Sequence, residues 1–307
     1  MNEEKIPHSI LVMGIGELGF EVLKHLSEHQ DDKEPTIIHA LVRPSASQNP
    51  EREGKLERLA SMGIQTVTGD VTSASMDSLA SLLAPYDTVI CCIGFSSGPG
   101  VQTRITRAVL KAGIKRYFPW QFGVDYDTIG RGSAQDVFDE QLDVRDLLRS
   151  QDKTQWVVVA TGMFTSFLFE PAFGVVDLDH QTVHALGSWD NSVTVTTPED
   201  IGRLTAIILF HTPPFTNETV YIAGDTLTYG ALANELETQL KLPFKREVWS
   251  MQELTTALES DPNNNLLKYR AVFAAGVGVS WPLQETFNHS KGIKTTNVAE
   301  WIQQHLL

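Results

Sequence analysis

Apolar and polar positions along the chain fall into blocks that switch repeatedly between two periods. Ser9 to Met13 is a short apolar run that meets Gly14-Ile15-Gly16-Glu17-Leu18-Gly19, after which Leu18, Val22, Leu23 and Leu26 recur at a helical period. The signature is strand, glycine turn, helix. Thr36–Val42 is almost wholly apolar, as expected of a strand covered on both faces in a parallel sheet, and Arg43-Pro44 ends it. The alternation continues with a helix near Lys55–Met62, strand Gln65–Thr68, helix Met76–Leu83, strand Thr88–Ile93, helix Val101–Ala112, strand Arg116–Pro119, helix Ala134–Leu148 and strand Trp156–Ala160. Strands alternating with helices predict an α/β fold built on a doubly wound parallel Rossmann sheet.

Beyond Thr161 the rhythm weakens. An aromatic-rich stretch, Met163–Phe173, precedes a hairpin predicted from Thr182 to Val195, a helix entered at Pro198-Glu199-Asp200 and another over Tyr229–Leu240. Val220–Ile222 reads as a return to the sheet. The expected organisation is a nucleotide-binding domain over residues 1–160 and a smaller C-terminal substrate lobe over 161–307, interleaved rather than joined by a linker.

Composition narrows the classes. The 307 residues are 42% hydrophobic and 20% charged, ordinary for a globular chain, and 24 basic against 38 acidic residues leave a net charge of −14. Such a surface repels phosphate backbones and anionic lipid, so neither nucleic acid nor a membrane is an expected partner. The first residues lack the order of a secretory signal and no apolar run is long enough to span a bilayer, so the expected location is cytoplasmic. The two cysteines, Cys91 and Cys92, are adjacent and read as unbonded, buried strand residues. With nine histidines and one cysteine doublet, no zinc ligand set stands out and no metal is expected.

The glycine turn carries the first specific chemistry. Gly14 permits a tight turn, Gly16 lets the backbone approach a pyrophosphate and Gly19 lets the helix pack on the strand. Backbone N–H groups from Glu17 and Leu18 onward then meet an anion at the helix N-terminus. The end of the second strand selects the cofactor. An acid there bonds the ribose hydroxyls of NAD, whereas an arginine suits the 2′-phosphate of NADP. No acid lies between Thr36 and Val42, Arg43 follows at once, and Ser45 and Ser47 add hydroxyl donors, so NADP(H) is the expected cofactor. A solvated strand-end cation is the bland alternative for Arg43. Gly94, Phe95 and Gln121, at the ends of later strands, are the remaining cofactor candidates.

The segment Lys115-Arg116-Tyr117-Phe118-Pro119-Trp120-Gln121-Phe122-Gly123-Val124-Asp125 resembles the isoflavone-reductase-like and NmrA-like proteins, an atypical branch of the short-chain dehydrogenase/reductases. Leu41-Val42-Arg43, Gly69-Asp70, Phe138–Arg145 and Pro198-Glu199-Asp200-Ile201-Gly202 extend the similarity over nearly the whole chain. The resemblance implies a Rossmann domain with a small substrate lobe, NADPH as cofactor and reduction of aromatic small molecules. It also implies a catalytic lysine in the helix after the Phe-Gly-x-Asp turn, and Gln141 stands at that position. A glutamine amide orients groups by hydrogen bonds but does not titrate. No Tyr-x-x-x-Lys pair replaces it, since none of the six tyrosines has a lysine four residues later.

The candidates for handling a proton are therefore Tyr126, just past the turn, the acids around the missing lysine, Glu140 first among them, and Gln141 itself as an orienting group. Solvated helix acids and a packed tyrosine are the plainer readings. Phe95, Trp120, Met163, Phe164 and Phe167 are the candidate substrate-lining residues, with core packing the alternative for the phenylalanines. Three functions fit: an NADPH-dependent reductase of a hydrophobic aromatic or secondary metabolite, a redox-neutral enzyme that keeps NADP bound while promoting rearrangement, dehydration or cyclisation, or an NADP-sensing regulatory protein. A homodimer is compatible with each.

Overall fold

The computed structural model describes residues 8–29, 36–44 and 50–307. Its chain divides into two compact units. The first comprises the residues up to Gln121 with Asp143–Val159 and Ile201–Thr219. The second comprises Phe122–Leu142, Ala160–Asp200 and Val220–Leu307. Segment 122–142 thus packs with C-terminal residues, and 201–219 with N-terminal ones.

In the first unit, β1 (His8–Met13), β2 (Thr36–Val42), β3 (Gln65–Thr68), β4 (Thr88–Cys91), β5 (Arg116–Phe118) and β6 (Gln155–Ala160) form a sheet that ends on β11 (Glu218–Tyr221), in the order β11-β6-β5-β4-β1-β2-β3. The pairings of β1 to β6 are parallel. All four residues Ile10–Met13 are fully buried, which is why this stretch reads as continuously apolar. Helices α1 (Glu17–Glu28), α2 (Pro50–Ser61), α3 (Met76–Leu83) and α4 (Val101–Ala112) are the crossovers. Helix α4 shows how they are written: Val101, Ile105, Ala108 and Val109 are buried along one face, and Gly113 ends the helix in the left-handed region at φ 70°. The strand order reverses between β1 and β4, where this fold leaves a crevice at the carboxyl ends of the strands.

The second unit holds α5 (Tyr126–Ile129), two three-stranded sheets, and α8 (Tyr229–Leu240), α9 (Met251–Ser260), α10 (Asn265–Ala275), α11 (Phe287–Ser290) and α12 (Val298–His305). The sheets use β7 (Met163–Phe164), β8 (Val176–Asp177), β9 (Thr182–Leu186), β10 (Ser192–Thr196), β12 (Asp225–Thr228) and β13 (Lys245–Trp249). The division falls within α6 (Val137–Arg149) and α7 (Pro198–Leu209), and also within β6 and β11, whose last residues are assigned to the second unit.

The hairpin expected over Thr182–Val195 is not formed. β9 pairs with β13 and β8, while β10 pairs with β12 and β7. The chain leaves β9 at Gly187, held at φ 80°, and Asn191 then locks the bend, its side-chain amide donating to Leu186 O at 2.9 Å and Ala274 O at 2.8 Å. Those bonds commit the turn to α10 and send the two strands into different sheets. The aromatic stretch after Thr161 forms β7 followed by a 3₁₀ turn over Thr165–Phe169.

Candidate functional site

The strand ends of the first unit open into a cleft of about 380 Å³. It is lined by the glycine turn, by Arg43, by Gly69 and Val71 after β3, and by Cys92 to Gly94 after β4. Each loop is pinned to its neighbour: Gly14 N donates to Leu41 O at 3.1 Å, Gly69 N to Val42 O at 3.0 Å and Cys92 N to Met13 O at 2.9 Å.

The glycines divide their work. Gly14 turns the chain at φ 96°. A Cβ on Gly19 would stand 2.2 Å from Gly14 O, so that position brings helix and strand into contact. A Cβ on Gly16 would meet no protein atom within 4 Å, so its bareness serves nothing inside the protein and leaves a cradle for something else. Gly16 is also the N-cap of α1 and provides no side-chain cap, so the first N–H groups of the helix have no acceptor from that residue. Glu17 is exposed, whereas the Leu18 side chain is buried, so Leu18 can meet a ligand only through its backbone.

Among the described residues, Arg43, Arg52 and Lys55 bring three cations to this cleft, together with Glu51. Arg52 donates to the backbone carbonyl of Arg43 at 2.5 Å, and Lys55 pairs with Glu51 at 2.8 Å. Arg52 and Glu51 escaped the sequence reading because α2 begins at Pro50, five residues before the expected start. The signal was Pro50 itself, a residue favoured at the first helical position, followed by acids in the first turn. Ser45 and Ser47 lie outside the described residues. After β3, Asp70 spends both carboxylate oxygens on its own turn, accepting from Thr72 N and Oγ1 at 2.9 and 2.6 Å and from Ser73 Oγ at 2.8 Å. Those bonds hold it far below the usual carboxylate range. Cys91 and Cys92 are unbonded, and burial pushes the Cys91 thiol up to about 11.

Gly94 and Trp120 touch, since a Cβ on Gly94 would lie 3.1 Å from the indole, and Phe95 meets the same indole edge-on at 6.4 Å. Two of the aromatic strand-end candidates therefore stand together in the first unit. Gln121 is fully buried and its side-chain carbonyl accepts from Arg145 Nε at 2.7 Å. Arg145, 1% exposed, is a buried cation that the sequence reading gave no role, because its partner lies 24 residues away.

In the second unit Gln141 is fully buried, Glu140 is half-buried, and Asp136 faces solvent, paired with Lys268 at 2.9 Å, while Asp143, the first residue of the next first-unit segment, is also exposed. Tyr126 is 3% exposed, its hydroxyl against Gly123, where a Cβ would come within 2.7 Å. Its ring meets Phe138 at 5.0 Å, Phe138 meets Tyr269 at 5.9 Å, Tyr269 meets Phe167 at 6.2 Å, and Phe167 stacks on Phe173 at 4.5 Å. Phe164, Phe167 and Tyr269 are half-buried, while Met163 and Phe173 are core residues. Tyr269, whose hydroxyl burial pushes up to about 12, joins this array without having been singled out in the sequence. The turn before Tyr126 is anchored by Asp125, which accepts from Tyr221 Oη at 2.8 Å and from Thr128 Oγ1 at 2.7 Å.

The sequence also holds two histidine pairs at i, i+4 spacing, His25/His29 and His180/His184, which the reading against metal passed over. Each of these rings engages a local partner: Glu28, the His25 carbonyl, Asp177 and the Gly174 carbonyl, all within 2.9 Å. Among the described residues no helix is long and apolar enough to cross a membrane.

The NmrA-like family model matches residues 8–302. An NmrA-like family domain-containing oxidoreductase of Gibberella moniliformis is 44% identical over 299 residues, covering 96% of this chain and 97% of that protein. Phenylcoumaran benzylic ether reductase 1 of Arabidopsis thaliana is 26% identical over 287 residues, 89% of this chain and 91% of that one. Among solved structures, the binary complex of leucoanthocyanidin reductase with NADPH from Vitis vinifera superposes with a TM-score of 0.79 at 18% identity, over 96% of this chain and 98% of that one.

Proposed function

Because the chain belongs to the NmrA-like family, we propose that it binds NADP(H) in the cleft of its first unit and acts as an NADPH-dependent reductase of a small, hydrophobic, aromatic metabolite. The observation that carries this reading is the cleft itself: a bare Gly16 at an uncapped helix N-terminus, with Arg43, Arg52 and Lys55 around it. The residues fit the group. A pyrophosphate calls for close backbone approach and free N–H donors, and a 2′-phosphate calls for cations at the end of β2.

When bound, the dinucleotide supplies a hydride. The chain's part is to bind, orient and manage the proton. Arg43 recognises the phosphate that distinguishes NADP from NAD, and Arg52, by holding the Arg43 carbonyl, fixes the end of β2 from which that guanidinium projects. Gly94, Phe95 and Trp120 provide an apolar wall at the β4 and β5 ends that excludes water. The aromatic array of the second unit, with Phe164, Phe167 and Tyr269 half-buried, suits an aromatic ligand. Tyr126, Glu140 and Gln141 remain the candidates for holding or moving the proton. The related reductases act on aromatic compounds by name, which favours the same substrate class here.

The buried amide of Gln141 favours one second reading. A residue that cannot titrate, at the position where the resemblance implies lysine, suits rearrangement, dehydration or cyclisation without net use of the cofactor. One experiment separates them: purified protein is titrated with NADPH and NADH by fluorescence, then offered aromatic ketones, enones and quinone methides. Tight NADPH binding with stoichiometric consumption supports the reductase. Product formed without consumption supports the redox-neutral enzyme, and no binding of either coenzyme overturns both. A cytoplasmic location accords with both readings.

A further inference from the structure

The cleft contains a charge of the wrong sign. Arg43, Arg52 and Lys55 suit a phosphate, yet Glu51 lines the same cleft from the first turn of α2. Its carboxylate is 2.8 Å from Lys55 Nζ, and Lys55 holds it below the usual carboxylate range, so it is ionised at neutral pH. The pair is lopsided in exposure. The Glu51 side chain is 78% exposed and that of Lys55 32%, so the acid is the partner with room to swing away. An anion entering this group of cations meets repulsion from Glu51 and must share or take Lys55 from it. A ribose bearing only hydroxyls meets instead an acceptor of the kind that NAD-binding folds place near the end of their second strand.

We propose that Glu51 is a specificity-determining residue: it occupies Lys55 in the free protein, weakens the grip on the 2′-phosphate, and so narrows the preference for NADPH over NADH. This rests on the reading that the cleft binds NADP(H). The same four-residue step that makes Glu51 and Lys55 neighbours on α2 makes the arrangement cheap, because an acid placed four residues before a lysine on a helix pairs with it favourably. Coenzyme choice at this site is then tuned by a competition between the Glu51 carboxylate and a ligand phosphate for the Lys55 ammonium group.

The test measures dissociation constants for NADPH and NADH on the full chain by fluorescence titration, for the wild type, Glu51→Gln and Lys55→Gln. Glu51→Gln changes one exposed side chain, and thermal melting checks its fold. It is expected to tighten NADPH by about two- to fivefold and to leave NADH unchanged or weaker, so the NADPH preference rises, an effect that shrinks as salt increases. Lys55→Gln is expected to weaken NADPH several-fold and to leave NADH unchanged. If Glu51→Gln binds NADPH no better than wild type, or its preference for NADPH is unchanged or reduced, the proposal is overturned while the cofactor assignment stands. If the wild type binds neither coenzyme, the assignment itself falls.

Discussion

Gly16 and Gly19 lie three residues apart in one turn, and the structure gives them opposite reasons for lacking a side chain. At Gly19 an added methyl would sit 2.2 Å from Gly14 O and 3.2 Å from Cys92 Cβ, and the first of these is far inside contact distance. Helix and strand must separate by about an ångström, which as overpacking costs about 1–3 kcal/mol. At Gly16 the methyl meets nothing within 4 Å and the backbone, at φ −65°, is one that alanine adopts readily. Gly16→Ala should therefore change the stability of the free protein by less than about 1 kcal/mol, because the gain from a stiffer unfolded chain is offset by alanine's poorer fit at a helix N-cap. What it should remove is room for the ligand. At a concentration 100-fold above the dissociation constant, ligand binding stabilises a protein by about 2.7 kcal/mol, and a hundredfold loss of affinity reduces this to about 0.4 kcal/mol. Differential scanning fluorimetry with and without NADPH reads both quantities. Gly19→Ala should melt several degrees early without ligand, whereas Gly16→Ala should melt normally and lose most of the NADPH-induced rise. A Gly16→Ala protein that melts as early as Gly19→Ala, or that keeps the full NADPH rise, would refute this division of roles.

Three further outcomes are expected. Arg43→Gln removes a charge-assisted bond to the 2′-phosphate and should raise the NADPH dissociation constant about ten- to hundredfold while leaving NADH within a factor of about two; equal losses for both would remove Arg43 from coenzyme selection. Gln141→Met keeps the length of a fully buried side chain and deletes its amide, so turnover should fall with the NADPH dissociation constant unchanged, whereas unaltered turnover would exclude Gln141 from the chemistry. Burial pushes the Asp87 carboxyl up, but bonds from Lys115 at 2.6 Å and from Ser9 N and Oγ at 3.0 and 2.8 Å outweigh it and hold the group down at about 2. Its contribution is therefore complete above its unfolded value near pH 4 and is lost as pH falls through about 2, so the melting difference between wild type and Asp87→Asn should narrow across that window and stay constant above pH 5.

What could be read in the sequence was what the chain decides locally. The strand, glycine turn and helix around Gly14–Gly19 depend on residues adjacent in sequence, and the central strands β1, β2 and β4 are marked by short apolar runs bounded by turn residues. The boundary of α2 was misplaced because Pro50-Glu51-Arg52-Glu53 carries little apolar signal, and with it went the cations that complete the cleft. The hairpin failed for a different reason. β9 and β10 have the right spacing and alternation, but their pairing is settled by β13 and β12, some 60 and 30 residues further on, and by the Asn191 bonds to α10. Arg145 and Gln121, and the Tyr126–Phe138–Tyr269 array, are likewise contacts across long stretches of chain that no local period announces.

The charge of the whole chain and the charge of the cleft act over different distances, and this has a measurable consequence. The net charge of −14 repels a polyanionic dinucleotide at long range, whereas Arg43, Arg52 and Lys55 attract it at contact. At about 0.01 M ionic strength the screening length is about 30 Å, so acids over most of the surface still act at the cleft; at 0.1 M it is about 10 Å and only the neighbours count. Raising salt from the lower to the higher value should first tighten NADPH, by removing distant repulsion, and salt beyond about 0.3 M should then weaken it as the contact charges are screened. A dissociation constant that rises steadily from the lowest salt would mean that the cleft's cations already dominate at every distance. Neutralising surface acids far from the cleft should flatten the low-salt limb alone, and Arg43→Gln the high-salt limb alone, which assigns each limb to its source.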